Sequence, residues 1–328
     1  METYDFAIGW TETERKEDLF INTLESECKL RKLSFISISD KSLDTLTSKI
    51  KKGDLKIKFY FDMASETYKP NDNFIQFAYC LKDSGTRIVA DPDNVKAAAD
   101  KAITHFDLIS SRVPVPHTVM IRNWESTRRL TEDEKKRLGF PFVIKPARGY
   151  AQKGVKIIDE QRPLKDVADA RKIAKGDNFL LQEFIEPQAL DGSLAWFRVF
   201  HVFGEIIPCW WHPETKAYRQ VTLKEIDDYQ LMPLVRITAE IARIARVDFF
   251  SCEIAISKKN KKFVVIDYMN DQCAVDPQSE YKDGVPDDLV IHMAERIVEK
   301  AWQYIKGKYT LTYRALWFPR IKVKDEDV

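Results

Sequence analysis

Two carboxylates in the second half of the chain are placed where they could bind metal ions. Glu253 and Asp267 are equidistant from Asn260, in a segment with the pattern of a β-hairpin whose arms are residues 249–256 and 262–268. Both arms are rich in β-branched and aromatic residues, and the turn between them is polar. Symmetric pairing would place the two carboxylates directly opposite each other, with Cβ atoms about 5 Å apart.

Like charges in these positions repel each other, so we expect a cation between them. Mg²⁺ prefers carboxylate oxygens and keeps coordination positions for phosphate. The hairpin therefore predicts a magnesium site, with room for a pair of ions. The alternative is that the pairing slips by one residue and Glu253 faces a lysine.

A second group of residues could bind phosphate. Lys145 ends an apolar strand, and the glycines Gly149 and Gly154 then enclose a loop that contains Lys153. A loop of this kind between two strands can offer backbone N–H groups to a polyphosphate, while the lysine adds positive charge. The P-loop pattern G-x-x-x-x-G-K-[ST] is absent. An ordinary turn with exposed basic residues is the alternative.

Three other places carry weaker signals. The strand predicted at 179–185, with the polar pair Gln182 and Glu183 near its end, could present backbone groups to an adenine ring, and Lys101 lies on a predicted helix. Arg198 lies between Trp196 and Phe200 in a strand, so we expect it to point to a less apolar face, as an ion pair or an anion clamp. Each also has an ordinary explanation as a plain edge strand, a solvated lysine or a structural ion pair.

Length and composition exclude several classes of protein. The 328 residues are enough for two or three domains, and 44% of them are apolar. The 52 basic and 51 acidic residues nearly cancel, so we expect neither nucleic-acid nor membrane partners. The five cysteines are widely spaced without a C-x-x-C pair, which disfavours disulfides and zinc. Neither a signal peptide nor a long apolar run is present, so a cytoplasmic location is expected.

Helices and strands must position these residues. Strand and helix patterns alternate over residues 1–89, which predicts an open α/β domain there. Its strands are predicted at 4–8, 33–38, 55–62 and 87–89, and its helices at 15–30, 41–51 and 73–82.

A single helix at 94–111 and a proline-spaced connector at 113–118 then lead into two α+β domains, at 90–185 and 186–308, before a tail at 309–328. Their other strands are predicted at 141–145, 154–158, 179–185, 195–203 and 206–211, and their helices at 132–137, 164–174, 231–246 and 287–305.

The order of these residues along the chain resembles that of the ATP-grasp superfamily. Within it, the resemblance is to carboxylate–amine ligases of the type of the ribosomal-protein glutamate ligase and D-Ala-D-Ala ligase. The resemblance covers about residues 90–305, with residues 1–89 similar to the α/β domain that precedes the grasp. It implies an α/β and α+β chain with the ATP-grasp fold, in which two α+β domains enclose ATP. The motifs that carry it are Asp-Lys101, Pro-Val-Pro116, Ile-Lys145-Pro, the loop from Gly149 to Gly154, Gln-Glu183-Phe-Ile, Phe-Arg198-Val, Glu253, Asp267 and Asn270.

By this resemblance the cofactors are ATP and Mg²⁺, with two Mg²⁺ expected and Mn²⁺ as an alternative. The residues that would contact ATP are Lys101, Lys145, Gly149, Tyr150, Lys153, Gly154, Gln182, Glu183, Phe184, Ile185 and Lys216. Arg198, with Lys145, would stabilise the transferring phosphoryl group. The metal ligands would be Glu253, Asp267 and Asn270.

The resemblance implies that a carboxylate is phosphorylated to an acyl phosphate and joined to an amine, with release of ADP and phosphate. The partners would be small-molecule or peptide carboxylates and amines, and a homodimer stays open. Asp267 in place of the commoner Glu resembles the inositol phosphate kinase branch. A kinase of a hydroxyl substrate is therefore one alternative, and a nucleotide-binding protein without catalysis is another.

The third metal ligand departs from the family pattern. The usual end is acidic-x-Asn, whereas this chain has Asp267-Tyr-Met-Asn270. A three-residue offset reverses the face in a regular strand. A β-bulge would restore the face; otherwise Asp271 takes the position, or the site is degraded.

Overall fold

The structure is a computed structural model, and it describes residues 1–11, 18–66, 69, 71–125, 128–149, 153–158, 172, 176–273, 275–310 and 315–316. The described strands fall mainly into three sheets, each built from one part of the chain. None of the described helices has both the length and the apolar composition needed to cross a membrane.

Residues 1–89 form the amino-terminal sheet, which is parallel, and the helices that cover it. Its elements are β1 (Glu2–Gly9), α1 (Leu19–Leu30), β2 (Phe35–Ile38), α2 (Leu43–Lys52), β3 (Leu55–Asp62), α3 (Asn73–Asp83) and β4 (Arg87–Val89). The strand order is β2-β1-β3-β4. Three consecutive residues of β3, Phe59, Tyr60 and Phe61, are fully buried, because helices cover both faces of a parallel sheet. The predicted open α/β arrangement is confirmed.

The predicted single helix at 94–111 is wrong, because the chain forms two helices, α4 (Pro92–Ala99) and α5 (Lys101–Ser110). Asp100 between them is extended, and its carboxylate accepts hydrogen bonds from the backbone N–H groups of Ala102 and Ile103. An aspartate that caps a new helix in this way competes with continuation of the old one. The break makes Lys101 the first residue of α5.

The middle sheet is antiparallel. Its elements are β5 (Thr118–Ile121), α6 (Glu132–Leu138), β6 (Phe142–Pro146), β7 (Lys156–Ile158) and β8 (Phe179–Glu183). The strand order is β5-β8-β6-β7. A small core that includes Ile121, Phe142, Ile144 and Leu181 lies beneath it. Most of the helix predicted at 164–174 lies outside the described residues.

The carboxy-terminal sheet is preceded by a short hairpin of β9 (Ala189–Leu190) and β10 (Ser193–Leu194). Its own elements are β11 (Trp196–Val202), β12 (Glu205–Trp211), β13 (Tyr218–Gln220), α7 (Leu223–Asp228), α8 (Met232–Ala245), β14 (Phe249–Ile256), β15 (Phe263–Asn270), α9 (Asp287–Ile305) and β16 (Ala315–Leu316). The strand order is β13-β12-β11-β14-β15, with β16 paired to β12.

The two faces of this sheet have different environments. One face, with Phe197, Val199 and Ile254, packs in the same core as α8. On the other face, Phe200 and Val202 pack in a core that includes residues of α9 and of the amino-terminal sheet. Arg198 lies on that second face of β11, between Phe200 of this core and Trp196, which packs against it.

Candidate active site

Three charged residues form a row across the carboxy-terminal sheet. Arg198 of β11 pairs with Glu253 of β14, and Glu253 pairs with Asp267 of β15. The predicted pairing of Glu253 with Asp267 is therefore confirmed, but the predicted symmetric register is wrong nearer the turn, where Ile254 pairs with Val265 and a register shift follows. Directly paired residues of neighbouring strands project from the same face, and an Arg198 guanidinium nitrogen donates a hydrogen bond to Glu253 Oε1.

Two register shifts in the hairpin flank Asp267. Ile254 pairs with Val265 and Glu253 with Asp267, and the next recorded pair is Ser251 with Asn270. Because Ser251 and Glu253 are two residues apart on β14, their partners Asp267 and Asn270 share one face despite the three-residue offset. Of the three possibilities that the sequence left open, the bulge that places Asn270 on the face of Asp267 is present. Asp271 follows the strand and lines a different cavity.

Two tryptophans complete the surroundings of this row. Trp196 Nε1–H donates to Glu253 Oε2 at 3.3 Å, and the Trp211 ring lies 4.8 Å from the Arg198 guanidinium carbon. Arg198 shares its face with Trp196, because residues two apart in a strand point the same way, so this face is more aromatic than expected; the expected ion pair is present, with Glu253. Both oxygens of Glu253 are therefore held by side chains of β11.

Two lysines approach the row from other elements. Lys145 at the end of β6 donates from Nζ to the Ile266 backbone carbonyl at 2.8 Å, which joins the middle sheet to β15. Lys101 at the start of α5 donates to the Gly149 carbonyl at 2.8 Å, and its Nζ lies 4.0 Å from Asp267 Oδ1. The helix break at Asp100 is what brings Lys101 to this position.

The charges shift one another's pKa values. Burial raises the pKa of Glu253, and the neighbouring Asp267 raises it further. Burial alone would also raise the pKa of Asp267, but Lys101, Lys145 and Arg198 outweigh it and hold that pKa below its ordinary value. Burial lowers the pKa of Lys145. Asp267 is therefore an ionised carboxylate, and its side chain is 34% exposed.

The donor set fits a Mg²⁺ ion. Asp267 Oδ1 is buried and has no hydrogen-bond partner, and a buried acceptor left unpaired is costly unless a cation completes it. Within the described residues no three Asp, Glu, His or Cys side chains converge to hold a metal. A site here would therefore use the two carboxylates of Glu253 and Asp267 with a neutral amide such as that of Asn270, and leave positions for phosphate oxygens.

A cavity of about 280 Å³ lies between the middle and carboxy-terminal sheets, beside this row, and is called here the inter-sheet cavity. Ten predicted site residues line it: Lys101, Lys145, Gly149, Lys153, Gln182, Glu183, Phe184, Ile185, Glu253 and Asp267. Segments far apart in the sequence thus converge on one place.

The other predicted residues have different positions. Arg198 reaches the inter-sheet cavity through Glu253, and Asn270 lies one paired position along the same face. Gly154 lies near Pro146 in the glycine loop but is not among the lining residues, and Lys216 lies in the exposed turn after β12. Tyr150 lies outside the described residues.

The deep end of the inter-sheet cavity is held by a chain of side-chain hydrogen bonds. Gln182 Nε2 donates to the Tyr268 hydroxyl at 2.7 Å and to Thr118 Oγ1 at 3.1 Å. The Tyr268 hydroxyl lies 2.7 Å from His105 Nδ1. Because burial lowers the pKa of His105 to about 4, the imidazole is neutral, and its Nδ1 accepts a hydrogen bond from the Tyr268 O–H. The Gln182 side chain is therefore occupied, which leaves the backbone of β8 to meet a ligand.

Several residues that line this cavity were not among the predicted site residues, although Pro116 belongs to one of the motifs named above. Pro116, Val143 and Ile266 give it apolar walls, and Trp196, Trp211 and Pro213 close its other side. The spacing of Trp196 and Arg198 was a usable signal, since both lie on one strand face. Nothing local identifies Val143 or Ile266, because an apolar strand residue looks the same whether it faces a core or a ligand.

Comparison with known families identifies one domain. Residues 98–217 match the RimK-like ATP-grasp domain. This segment contains Lys101, Lys145, Gly149 and Arg198, whereas the carboxylates Glu253 and Asp267 lie beyond it.

Two curated relatives match part of the chain. β-Citrylglutamate synthase B of Danio rerio is 28% identical over 116 residues, which are 35% of this chain and 28% of the relative. N-Acetylaspartylglutamate synthase A of Mus musculus is 29% identical over 138 residues, 42% of this chain and 34% of the relative. The matched part of the chain therefore spans about a third of the length of these relatives.

Solved structures resemble nearly the whole chain. D-alanine–D-alanine ligase from Bacillus anthracis, in complex with ATP, has a TM-score of 0.61 at 14% identity and covers 94% of this chain and 100% of its own. A RimK domain ATP-grasp protein from Sphaerobacter thermophilus has a TM-score of 0.60 at 17% identity and covers 90% of this chain and 98% of its own. At these identities the likeness concerns the fold.

Proposed function

We propose that this chain, which has the ATP-grasp fold and contains a RimK-like ATP-grasp domain, is an ATP- and Mg²⁺-dependent ligase that joins a carboxylate to an amine. The observation that carries the proposal is the paired row of Arg198, Glu253 and Asp267 at the inter-sheet cavity, with Lys101 and Lys145 beside it. Two carboxylates and three cations at one end of an apolar slot suit a metal-bound polyphosphate attached to a flat base.

Different groups of these residues would contact different parts of Mg·ATP. The apolar walls and the backbone of β8 would hold the adenine ring, while Lys101, Lys145 and the glycine loop would contact the phosphates. Glu253, Asp267 and Asn270 would hold Mg²⁺, which when bound neutralises phosphate charge and aligns the terminal phosphoryl group. Phosphoryl transfer needs positioning and charge more than a protein nucleophile.

Arg198 would act on the reacting group. Its guanidinium is fixed between Glu253 and the ring of Trp211, so it is held in place before any substrate binds. A preorganised cation stabilises charge that develops in a transition state. The proposed sequence is attack of a substrate carboxylate on the terminal phosphorus to give an acyl phosphate and ADP, then attack of an amine with loss of phosphate.

The relatives add support for ligation over other uses of ATP. Two are named as synthases of β-citrylglutamate and N-acetylaspartylglutamate, and two structural neighbours are D-alanine–D-alanine ligase and a RimK domain protein. For this chain we therefore propose small-molecule or peptide carboxylates and amines as substrates.

The test is turnover of Mg·ATP with pools of amino acids, peptides and organic acids. A ligase releases ADP and free phosphate only when both substrates are present. ADP without free phosphate, together with a phosphorylated alcohol, would instead identify a kinase. Asp267→Asn should abolish turnover and weaken Mg²⁺-dependent binding of a nonhydrolysable ATP analogue by about tenfold or more. An unchanged Mg²⁺ requirement in this variant would remove Asp267 from the metal site.

A further inference from the structure

Glu253, one of the two carboxylates proposed to hold Mg²⁺, already has a hydrogen-bond donor at each oxygen. An Arg198 guanidinium nitrogen donates to Oε1, and the indole N–H of Trp196 donates to Oε2 at 3.3 Å. The Arg198 and Glu253 side chains are only 13% and 12% exposed, so little water reaches their ion pair. A cation that takes up Glu253 therefore has to share or replace a donor.

Asp267, the other carboxylate, is more accessible to a cation. Its Oδ1 has no hydrogen-bond partner among the described residues, and Lys101 Nζ lies 4.0 Å from it. A metal ion can approach Asp267 without displacing a donor, whereas at Glu253 it meets a guanidinium. The two proposed ligands thus differ in what metal binding requires of them.

The basic side chains around the row outnumber its carboxylates. Lys101 lies beside Asp267, Lys145 donates to the carbonyl of the residue before it, and Arg198 pairs with Glu253. Three positive charges therefore surround two negative ones. Like charges repel strongly where water is scarce, so this excess favours a polyphosphate and opposes a metal ion that arrives without one.

The Arg198 guanidinium has donors to spare. Its Nε–H is buried without an acceptor among the described residues, and another of its nitrogens donates to Ser251 Oγ at a long 3.5 Å. A buried donor without a partner is costly, and guanidinium groups bind phosphate oxygens well. Arg198 is therefore suited to exchange its carboxylate partner for a phosphate.

Building on the proposed ligase function, we propose that Arg198 and the divalent cation compete for Glu253. Arg198 holds Glu253 until Mg²⁺ binds together with the nucleotide, and Glu253 then passes from the guanidinium to the metal ion. The guanidinium keeps its place over the ring of Trp211, and its released N–H groups donate to the terminal phosphoryl group. Arg198 therefore acts on phosphate only when the metal ion is bound.

A guanidinium that merely orients Glu253 for the metal ion would have the opposite effect on metal affinity. Loss of a side chain that orients a metal ligand weakens metal binding. Loss of a competitor for the ligand strengthens it. The sign of the change in an Arg198 variant therefore distinguishes the two roles.

The first test measures Mn²⁺ binding to the nucleotide-free full chain at neutral pH by electron paramagnetic resonance. We expect Arg198→Gln to bind Mn²⁺ about tenfold more tightly than wild type, because glutamine removes both a positive charge and the competitor for Glu253.

Two controls accompany this measurement. Arg219→Gln should change Mn²⁺ affinity by less than about twofold; Arg219 also pairs with a glutamate and lies over a tryptophan ring, but it does not line the inter-sheet cavity. Lys101→Gln removes the same charge beside Asp267 but leaves Glu253 paired. Its gain in Mn²⁺ affinity should be smaller than that of Arg198→Gln.

The second test measures binding of a nonhydrolysable ATP analogue by calorimetry. In EDTA, Arg198→Gln should bind the analogue within about twofold of wild type, and in saturating Mg²⁺ about tenfold more weakly. By linkage, the metal ion then strengthens nucleotide binding about tenfold less in the variant, which is the same factor as its gain in metal affinity.

Glu253→Gln tests the pair from its other side and does not depend on the folding of Arg198→Gln. A neutral amide holds the guanidinium less firmly than a carboxylate, so Arg198 can contact phosphate without a metal ion. We expect this variant to bind the analogue in EDTA about fivefold more tightly than wild type. Asp267→Asn removes the same charge but leaves the pair intact, so its gain should be smaller.

The outcomes separate this proposal from the ligase function. If Arg198→Gln strengthens Mn²⁺ binding more than Lys101→Gln does, but no nucleotide binds to any form, the competition for Glu253 stands and the ligase function falls. If Mg·nucleotide binds and Arg198→Gln leaves Mn²⁺ affinity unchanged or lowers it, the competition is overturned and the ligase function stands. Equal gains of Glu253→Gln and Asp267→Asn in EDTA would overturn the competition as well, because charge alone would then account for them.

Discussion

At the scale of single residues, the orientation of Glu253 depends on its neighbours in β11. Arg198 holds one carboxylate oxygen and the indole N–H of Trp196 holds the other. Side chains that orient a metal ligand often affect metal affinity nearly as much as the ligand itself. Trp196 is therefore a positioning residue for the proposed metal site, although its ring also forms part of the cavity wall.

We predict that Trp196→Phe raises the Mg²⁺ concentration needed for half-maximal nucleotide binding by about tenfold, because phenylalanine keeps an aromatic ring but removes the N–H donor. Titration of Mg²⁺ at a fixed concentration of fluorescent ATP analogue measures this value. The control is Trp124→Phe, which changes a tryptophan that is 68% exposed and outside the inter-sheet cavity. An unchanged Mg²⁺ requirement for Trp196→Phe would show that Arg198 alone orients Glu253.

Many of the charged residues of the site could be predicted from the sequence, because charge in an apolar strand is conspicuous. Glu253 and Asp267 were predicted to face each other, and they do. The apolar walls could not be predicted, since their proximity to a ligand depends on how distant segments pack. The position of Trp196 beside Arg198 follows from the sequence, since residues two apart in a strand share a face.

At the scale of elements, Tyr268 connects three parts of the fold. It belongs to β15, and its hydroxyl accepts from Gln182 of β8 and bonds to His105 of α5. All three side chains are buried, so water cannot replace a lost partner. The hydroxyl thereby joins the middle sheet, the carboxy-terminal sheet and the helix that begins with Lys101.

We predict that Tyr268→Phe lowers the free energy of unfolding by roughly 1–3 kcal/mol, because it leaves His105 Nδ1 buried without a hydrogen-bond donor and takes one acceptor from Gln182. Urea unfolding followed by circular dichroism measures the loss. Tyr79→Phe is the matched control, since its hydroxyl bonds to Asp93 in an exposed setting. Equal losses in the two variants would mean that the buried chain adds no stability of its own.

Sequence patterns predict the bounds of some helices and strands and not of others. The strands β3 and β4 have the predicted bounds, because turn residues flank short apolar runs. The helix at 94–111 was not divided, although Asp100 is a good N-cap residue, since the apolar spacing continues across it. The bulge in β15 was inferred as one of three options from the spacing of Asp267 and Asn270, and only the paired strand shows which option the chain uses.

At the scale of the whole molecule, buried histidines couple stability to pH. His201 is 2% exposed, and burial lowers its pKa to about 4; the pKa of His105 is lowered to about 4 for the same reason. In the unfolded chain an imidazole titrates near 6.5. Between these values the unfolded state binds more protons than the folded state, so stability is full above about pH 6.5 and falls as the pH decreases toward 4.

We predict that His201 lowers the free energy of unfolding by roughly 2 kcal/mol when the pH decreases from 7 to 5, because its imidazole binds a proton in the unfolded chain and not in the folded one. Carboxylates with raised pKa values, such as Asp62 and Asp271, act in the opposite sense, so the measurement is a difference. Urea unfolding at both pH values should show a drop for His201→Gln that is about 2 kcal/mol smaller than for wild type. The same drop in both proteins would contradict a neutral, buried His201.

The bulge in β15 also limits how this sequence can change by insertion and deletion. Relative to acidic-x-Asn, the chain has one more residue between Asp267 and Asn270, and one of the two intervening positions is Tyr268. Removing that residue would restore the short spacing but delete the hydroxyl that joins β8 to α5. Removing Met269 would keep the tyrosine and let Asn270 pair with Ser251 without a bulge, but it would delete a side chain that is buried in the core shared with α8. Each of the two single deletions that restore the short spacing therefore removes a buried contact of β15.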